Sequence, residues 1–133
     1  DSGGYDSEIN RLALISADII ITPVGASQIE LFGLQKFRNI LNDASDATGT
    51  NVKTHVLINN VDSRSKKKIS ELREYIEKNE KYFNLLESVI HTRVDFKNAY
   101  GDGLTVKELD KESKATQEIK SLTKEIDNII KNK

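Results

Sequence analysis

Short apolar runs rich in β-branched residues alternate along this chain with longer amphipathic segments, and this alternation limits the possible folds most. The runs at 19–24, 55–58 and 86–92 have the composition of buried parallel strands. Between and after them, apolar residues recur roughly every three to four positions, as on one face of a helix. Strands that alternate with helices in this way build βαβ units. The sequence therefore predicts an α/β fold with about three parallel strands.

Capping patterns indicate where the helices begin and end. The S-x-x-E pattern at 27–30 is a capping box, and it predicts a helix that ends at Gly49. Pro23 is expected to mark the end of the first strand. A second capping box at 105–108 predicts a short helix, and the last helix is expected from about Glu112. The stretch 93–103 is predicted to be a loop with a single helical turn.

Composition excludes several kinds of site. The chain has no cysteine, which rules out disulfides, thiolate metal sites and a thiol nucleophile. Its formal net charge of −1 gives no general attraction to nucleic acid. No apolar run approaches the roughly 20 residues of a membrane span. His55 and His91 fall in predicted strands without a second ligand at metal-binding spacing, so neither is expected to bind a metal ion.

The residues Asp1-Ser2-Gly3-Gly4 form the D-x-x-G pattern of phosphate-sensing switch loops. In such loops the aspartate holds a magnesium ion, usually through water, and the glycine N–H reaches the terminal phosphate of a nucleotide. The alternative is an ordinary turn glycine behind a terminal aspartate without a role. Such a loop normally follows a buried strand, and the sequence holds no G-x-x-x-x-G-K-[ST] loop. We therefore expect the C-terminal part of a nucleotide-binding α/β protein.

An incomplete sheet has consequences for stability. A doubly wound sheet has about five or more strands with helices on both faces. The strand before Asp1 and the strand of a phosphate loop would both lie near the middle of such a sheet. Without them the remaining strands expose apolar edges and faces, so the isolated chain is expected to be weakly stable or to self-associate.

Several motifs, in their order along the chain, resemble those of the ParA/MinD family of deviant-Walker ATPases. Members of this family partition plasmids, chromosomes and other cargo. After the D-x-x-G pattern, residues 17–24 are similar to the family's A-D-x-x-[IV]-x-P-V segment, and 55–62 correspond to its strand ending beside the adenine. Residues 92–106 resemble its late I-x-x-R-x-x-[FY]-x-x-A-x-x-x-G-x-[ST]-V signature. The end of the chain is similar to the shorter, ParF-like plasmid members.

The resemblance implies that residues 1–133 are the C-terminal portion of a single ParA-type domain with a doubly wound, mainly parallel P-loop NTPase sheet. The family's Lys-Gly-Gly phosphate loop and its first switch region with the catalytic aspartate are absent from these residues. ATP hydrolysis is therefore expected of a longer protein, and the chain alone is expected to be inactive.

The resemblance also assigns roles to individual residues. Asp1 would be the Walker B-type carboxylate that holds Mg²⁺, and Gly4 would donate its N–H to the γ-phosphate of ATP during magnesium-assisted attack by water. These two are the predicted catalytic residues, and the switch loop would run from Asp1 to about Asp6.

Base binding is predicted at the second and third strand ends. Asn59 and Asn60 lie at the end of the second strand, and a carboxamide can both donate to and accept from adenine. Their alternative role is to cap that strand. The resemblance implies a loop that flanks the base, formed by Arg93, Val94 and Asp95. Arg93 could instead be a surface ion-pair partner.

The expected partners also follow from the resemblance. They are a second copy in an ATP-clamped homodimer, non-specific DNA, and a centromere-binding adaptor of the ParB or ParG type, in the cytoplasm and without a membrane. Residues 29–44 and the segment after Gly101 are candidates for protomer or partner contacts. The cluster Lys66-Lys67-Lys68 is interpreted as a solvated helix face rather than a DNA contact, because Glu71 and Glu74 follow it.

Two other functions fit parts of the pattern. A MinD-like positioning ATPase would end in an amphipathic membrane-targeting helix, but the last helix has an isoleucine stripe with mixed charges and little aromatic character. A non-catalytic, flavodoxin-like binding module would need a self-contained sheet of about five parallel strands within these residues.

Overall fold

The computed structural model describes residues 6–133. The strands β1 (Ile21–Val24), β2 (Thr54–Val61) and β3 (Phe83–His91) form one open sheet in the order β1-β2-β3, and both pairs are parallel. The flanking helices are α1 (Glu8–Ser16), α2 (Gln28–Thr48), α3 (Lys66–Lys78), α4 (Val94–Gly101), α5 (Val106–Leu109) and α6 (Lys114–Lys131). The predicted α/β fold with three parallel strands is confirmed.

Helices cover both faces of the sheet. Because successive side chains of a strand point to opposite faces, Leu57 and Ile58 belong to different clusters. Ile58 lies with the buried residues of α2 and α3, among them Leu34, Leu41, Leu72 and Ile76. Leu57 lies with Leu86 and Ile90, which Phe96 of α4 and Leu122 and Ile129 of α6 cover from the other side.

The helix ends lie close to their predicted positions, although α2 shows only the Ser27 half of the predicted capping box. The Ser27 hydroxyl accepts a hydrogen bond from the Glu30 N–H at 3.2 Å, and α2 ends at Gly49, whose φ of 70° suits a glycine. Thr105 and Glu108 form both hydrogen bonds of a capping box at the start of α5. Ser113 caps α6, whose first residue, Lys114, lies two residues after the predicted start near Glu112.

Pro23 lies inside β1, paired with Leu57, so the prediction that it marks the end of the strand is wrong by one residue. The Ile20 carbonyl accepts a hydrogen bond from the His55 N–H at 2.8 Å. Backbone groups alternate in direction along a strand, so those of residues 20, 22 and 24 face β2 and the nitrogen of Pro23 faces the outer edge. A proline is tolerated there because no ladder bond to β2 is lost.

The prediction of a loop over 93–103 is also wrong. Residues 94–101 form α4, because Phe96 and Ala99 lie three positions apart on one helical face and pack against other elements. Ala99 is 2% exposed and clusters with Val106 and Ala115, while Phe96 contacts both that cluster and the sheet. Burial stabilises this short helix. Strand β3 also begins earlier than predicted, at Phe83.

Candidate functional site at the carboxyl ends of the strands

The carboxyl ends of the three strands lie at the same edge of the sheet, because the strands are parallel. In open α/β sheets this edge is where ligands bind. The ends of β1 and β2 are close: a Cβ atom placed on Gly25 would lie 3.7 Å from the Asn59 carbonyl oxygen. The ends of β2 and β3 are joined by a hydrogen bond from the Thr92 hydroxyl to Asn60 Oδ1 at 2.9 Å.

Asn60 forms a bulge in β2. Its φ of 58° is left-handed, and it is the one non-glycine residue between 6 and 133 with a positive φ. The pairing of β2 with β3 is irregular between Asn59 and Val61. The extra residue turns Asn60 outward and places Val61, 1% exposed, on the same core face as Val56 and Ile58.

The two asparagines therefore differ in what their side chains can do. Asn60 is exposed, and its side-chain oxygen accepts the hydrogen bond from Thr92. Asn59 is half-buried, and within residues 6–133 its carboxamide makes no hydrogen bond. Asn59 is consequently the member of the pair whose carboxamide can donate to and accept from a ligand.

Arg93 takes the ion-pair alternative. Its Nε donates to Glu118 Oε1 at 2.5 Å, and its side chain is 27% exposed. Val94 and Asp95 are the first two residues of α4, and Val94 is 67% exposed. The prediction of a loop over 93–95 is therefore wrong for these two residues. Asp95 places a carboxylate in the first turn of α4, where its negative charge interacts favourably with the helix dipole and stabilises the helix. A contact between these residues and a base stays a prediction.

Asp1 and Gly4 lie outside the described residues, so their catalytic and magnesium-binding roles stay predictions. Directly after them, the Asp6 carboxylate accepts hydrogen bonds from Arg11 at 2.7 and 2.9 Å. These bonds hold the pKa of Asp6 below its usual value. Arg11 also reaches Asp43 at 3.3 Å and so joins α1 to α2.

Two glutamates on α6 were not predicted as functional residues. Glu125 accepts the backbone N–H groups of Glu87 at 2.7 Å and Ser88 at 2.9 Å. Glu118 accepts the backbone N–H of His91 at 2.9 Å. Burial raises the pKa of Glu125, but the hydrogen bonds from Ser88 and Glu87 outweigh it and hold that pKa below its usual value.

A sequence signal for these glutamates exists. Glu118 and Glu125 are seven residues apart, a spacing that places two residues on one side of a helix. Leu122 and Ile129 have the same spacing. Since Leu122 and Ile129 pack on the sheet, carboxylates spaced like them on the same helix can reach a neighbouring strand.

The basic cluster is consistent with a solvated helix face. Lys66 and Lys67 are exposed, and Lys68 Nζ lies 3.2 Å from Glu71 Oε2 and 3.4 Å from Gln28 Oε1. A salt bridge of this exposed kind neutralises one cation locally and adds little stability.

Residues 6–133 contain no group of three or more His, Asp or Glu side chains placed to hold a metal ion. Nor does any helix between these two residues combine the length and the apolar character needed to cross a bilayer.

The chain matches no family model, and no curated protein matches it either.

Proposed function

We propose that this chain is the C-terminal part of a ParA-type partition ATPase and that its strand ends form the adenine side of the nucleotide pocket. One observation carries the proposal: Gly25, Asn59, Asn60 and Thr92 meet at the carboxyl edge of a parallel sheet. The resemblance of the motifs assigns base binding to this same edge, and the physical rule for open α/β sheets favours a ligand there.

The residues at these strand ends have different proposed roles. Asn59 contacts the base, because its carboxamide has no partner among residues 6–133. Asn60 and Thr92 fix the distance between the ends of β2 and β3 through their 2.9 Å hydrogen bond. Arg93 is held by Glu118 beside the start of α4, so it borders the pocket rather than pointing freely into it.

The phosphate and magnesium chemistry belongs to other residues. Asp1 would hold Mg²⁺ and Gly4 would contact the γ-phosphate, and residues 6–133 add no cluster of metal ligands. The outer edge of β1 can accept further strands, although one such strand would lack a backbone donor at Pro23. The proposal also includes the partners that the resemblance implies: a second copy in a homodimer, an adaptor protein and non-specific DNA.

The MinD-like alternative is less well supported. Leu122 and Ile129 of α6 pack against the sheet, so much of the apolar stripe is used in the core. Binding to a membrane would require α6 to leave that position. Flotation with anionic liposomes distinguishes the two functions, and co-flotation would favour the membrane protein.

The flavodoxin-like alternative is also less well supported. It requires a self-contained sheet of about five strands. The sheet within residues 6–133 has three.

The first test uses the chain as it stands. In a calorimetric titration with ATP and Mg²⁺ we expect no binding, because the phosphate loop that supplies most phosphate contacts is missing from the sequence. Micromolar affinity would contradict the proposal. The coding sequence upstream of Asp1 is expected to encode a glycine-rich loop with two lysines, and an unrelated domain there would also contradict it.

The second test uses a protein that includes this upstream region. Replacing Asn59 with alanine should weaken ATP binding about tenfold, as expected for the loss of hydrogen bonds worth about 1.4 kcal/mol. Asn128→Ala is the matched control, since Asn128 is an exposed amide on α6, away from the strand ends. Equal affinities for both variants would remove Asn59 from the site.

A further inference from the structure

We propose that α6 seals the outer edge of β3 with the carboxylates of Glu118 and Glu125, and that this seal prevents a second copy of the chain from pairing with β3. Among residues 6–133, strand β3 pairs with β2 alone. An edge strand of nine residues would otherwise offer a row of backbone groups to another strand.

The seal covers three backbone N–H donors of this edge, those of residues 87, 88 and 91. Glu125 uses both carboxylate oxygens, Oε2 for the Glu87 N–H and Oε1 for the Ser88 N–H. Glu118 Oε2 takes the His91 N–H. The pairing of β3 with β2 is irregular between Val56 and Ile58, which explains why two successive residues, 87 and 88, both direct their N–H groups outward.

Ionised carboxylates suit this role. They only accept hydrogen bonds, and hydrogen bonds from N–H groups to them are about twice as strong as neutral ones. Glu118 is 14% exposed and is further fixed by Arg93 and by the ring of His91 at 3.2 Å. An incoming strand must displace both glutamates from these N–H groups, which breaks three charge-assisted hydrogen bonds.

A second copy of the chain is the occupant that fits an opened edge. Two β3 edges present identical donors and acceptors, so a two-fold axis can pair them antiparallel. The groove between β3 and α6 is lined by charges of both signs, including Glu87, Lys114 and Lys124, and thus favours neither an acidic nor a basic partner peptide.

The test removes the seal from the intact chain. For the double variant Glu118→Ala, Glu125→Ala we expect faster amide hydrogen exchange at residues 87, 88 and 91 in dilute solution. At higher concentration these amides should regain protection as a dimer forms, measured by sedimentation velocity. The control removes two exposed carboxylates, Glu112→Ala and Asp127→Ala, and should behave as the wild type does.

A milder variant keeps the test decisive if the double variant unfolds. Gln in place of Glu125 exchanges one of the two acceptor oxygens for an NH₂ group, which only donates and cannot bond to the N–H that it faces. Exchange at Glu87 or Ser88 should then rise about tenfold, while that at His91, held by Glu118, should not change. Unchanged exchange at both residues, or a double variant that folds and associates no more than the wild type, would overturn the proposal.

Discussion

Asn60 combines an unfavourable backbone conformation with a specific hydrogen bond. A left-handed φ costs a residue with a Cβ atom about 1–2 kcal/mol, and asparagine tolerates it better than most residues. We predict that Asn60→Ala lowers the free energy of unfolding by about 1–3 kcal/mol, because it loses both this tolerance and the bond from Thr92. Urea denaturation measures the change.

Two further variants separate these contributions. Glycine at position 60 should be less harmful than alanine, since glycine adopts positive φ freely. Thr92→Val should show only the loss of the hydrogen bond, about 1 kcal/mol. If glycine and alanine destabilise equally, the backbone conformation of Asn60 is not the cause.

His55 should make stability depend on pH. Burial lowers the pKa of His55, and the charges of Lys53 and Lys133 lower it further. Its Nδ1 lies 3.0 Å from the Asn84 amide nitrogen, which can only donate, so the neutral ring fits best. A histidine with a depressed folded pKa contributes stability above its unfolded pKa of about 6.5, and this is lost as pH falls towards the folded pKa.

The expected result is a free energy of unfolding that rises between about pH 5 and 7 more steeply in the wild type than in His55→Gln. Urea denaturation at several pH values measures both slopes, and an NMR titration of the ring checks the pKa directly. Identical slopes in the two proteins would show that His55 does not titrate with folding.

At the scale of secondary structure, local capping signals predict where helices begin, whereas contacts between distant elements are not predicted. The capping residues Ser27 and Thr105 act within three positions of themselves, so the sequence alone locates the helices that they start. The side chain of Asn60 bonds to Thr92, and that of Glu125 bonds to Ser88, in both cases a residue that lies far away in the sequence. Helix α4 was missed for the same reason, because Phe96 and Ala99 are buried by partners far away in the chain.

The connection between α5 and α6 depends on the buried hydroxyl of Thr116. This side chain is 1% exposed, and its Oγ1 lies 3.0 Å from the Val106 carbonyl and 2.6 Å from that of Asp110. We predict that Thr116→Val, which has nearly the same shape, destabilises the protein by about 1–3 kcal/mol because buried polar groups lose their partner. Thermal unfolding measures the loss.

Thr123→Val is the matched control for this prediction. Thr123 is an exposed threonine on the same helix whose hydroxyl bonds only to the Ile119 carbonyl one turn earlier. Its replacement should change stability by no more than about 0.5 kcal/mol. A Thr116 variant as stable as this control would show that α5 is held by other contacts, such as the burial of Val106.

At the scale of the whole molecule, the sheet is covered on both faces, but helices α1 and α2 carry exposed apolar side chains. Ile9 is 79% exposed and Ile29 is 82% exposed, and Leu12 and Phe32 are each more than half exposed. None of the residues of α1, Glu8–Ser16, is buried. Exposed apolar side chains that are grouped in this way are typical of association surfaces.

We therefore predict that the chain self-associates with increasing concentration through α1 and α2, which lie next to each other and are joined by Arg11 and Asp43. Replacing Ile9 and Ile29 with glutamine should shift sedimentation towards the monomer. Glutamine at Ile130, also half-exposed but on α6, is the matched control and should leave the association unchanged. This association differs from strand pairing at β3, because it should not alter exchange at residues 87, 88 and 91. A wild-type chain that stays monomeric at all concentrations, or an Ile130 variant that dissociates equally, would show that the apolar surface of α1 and α2 is not the site of contact.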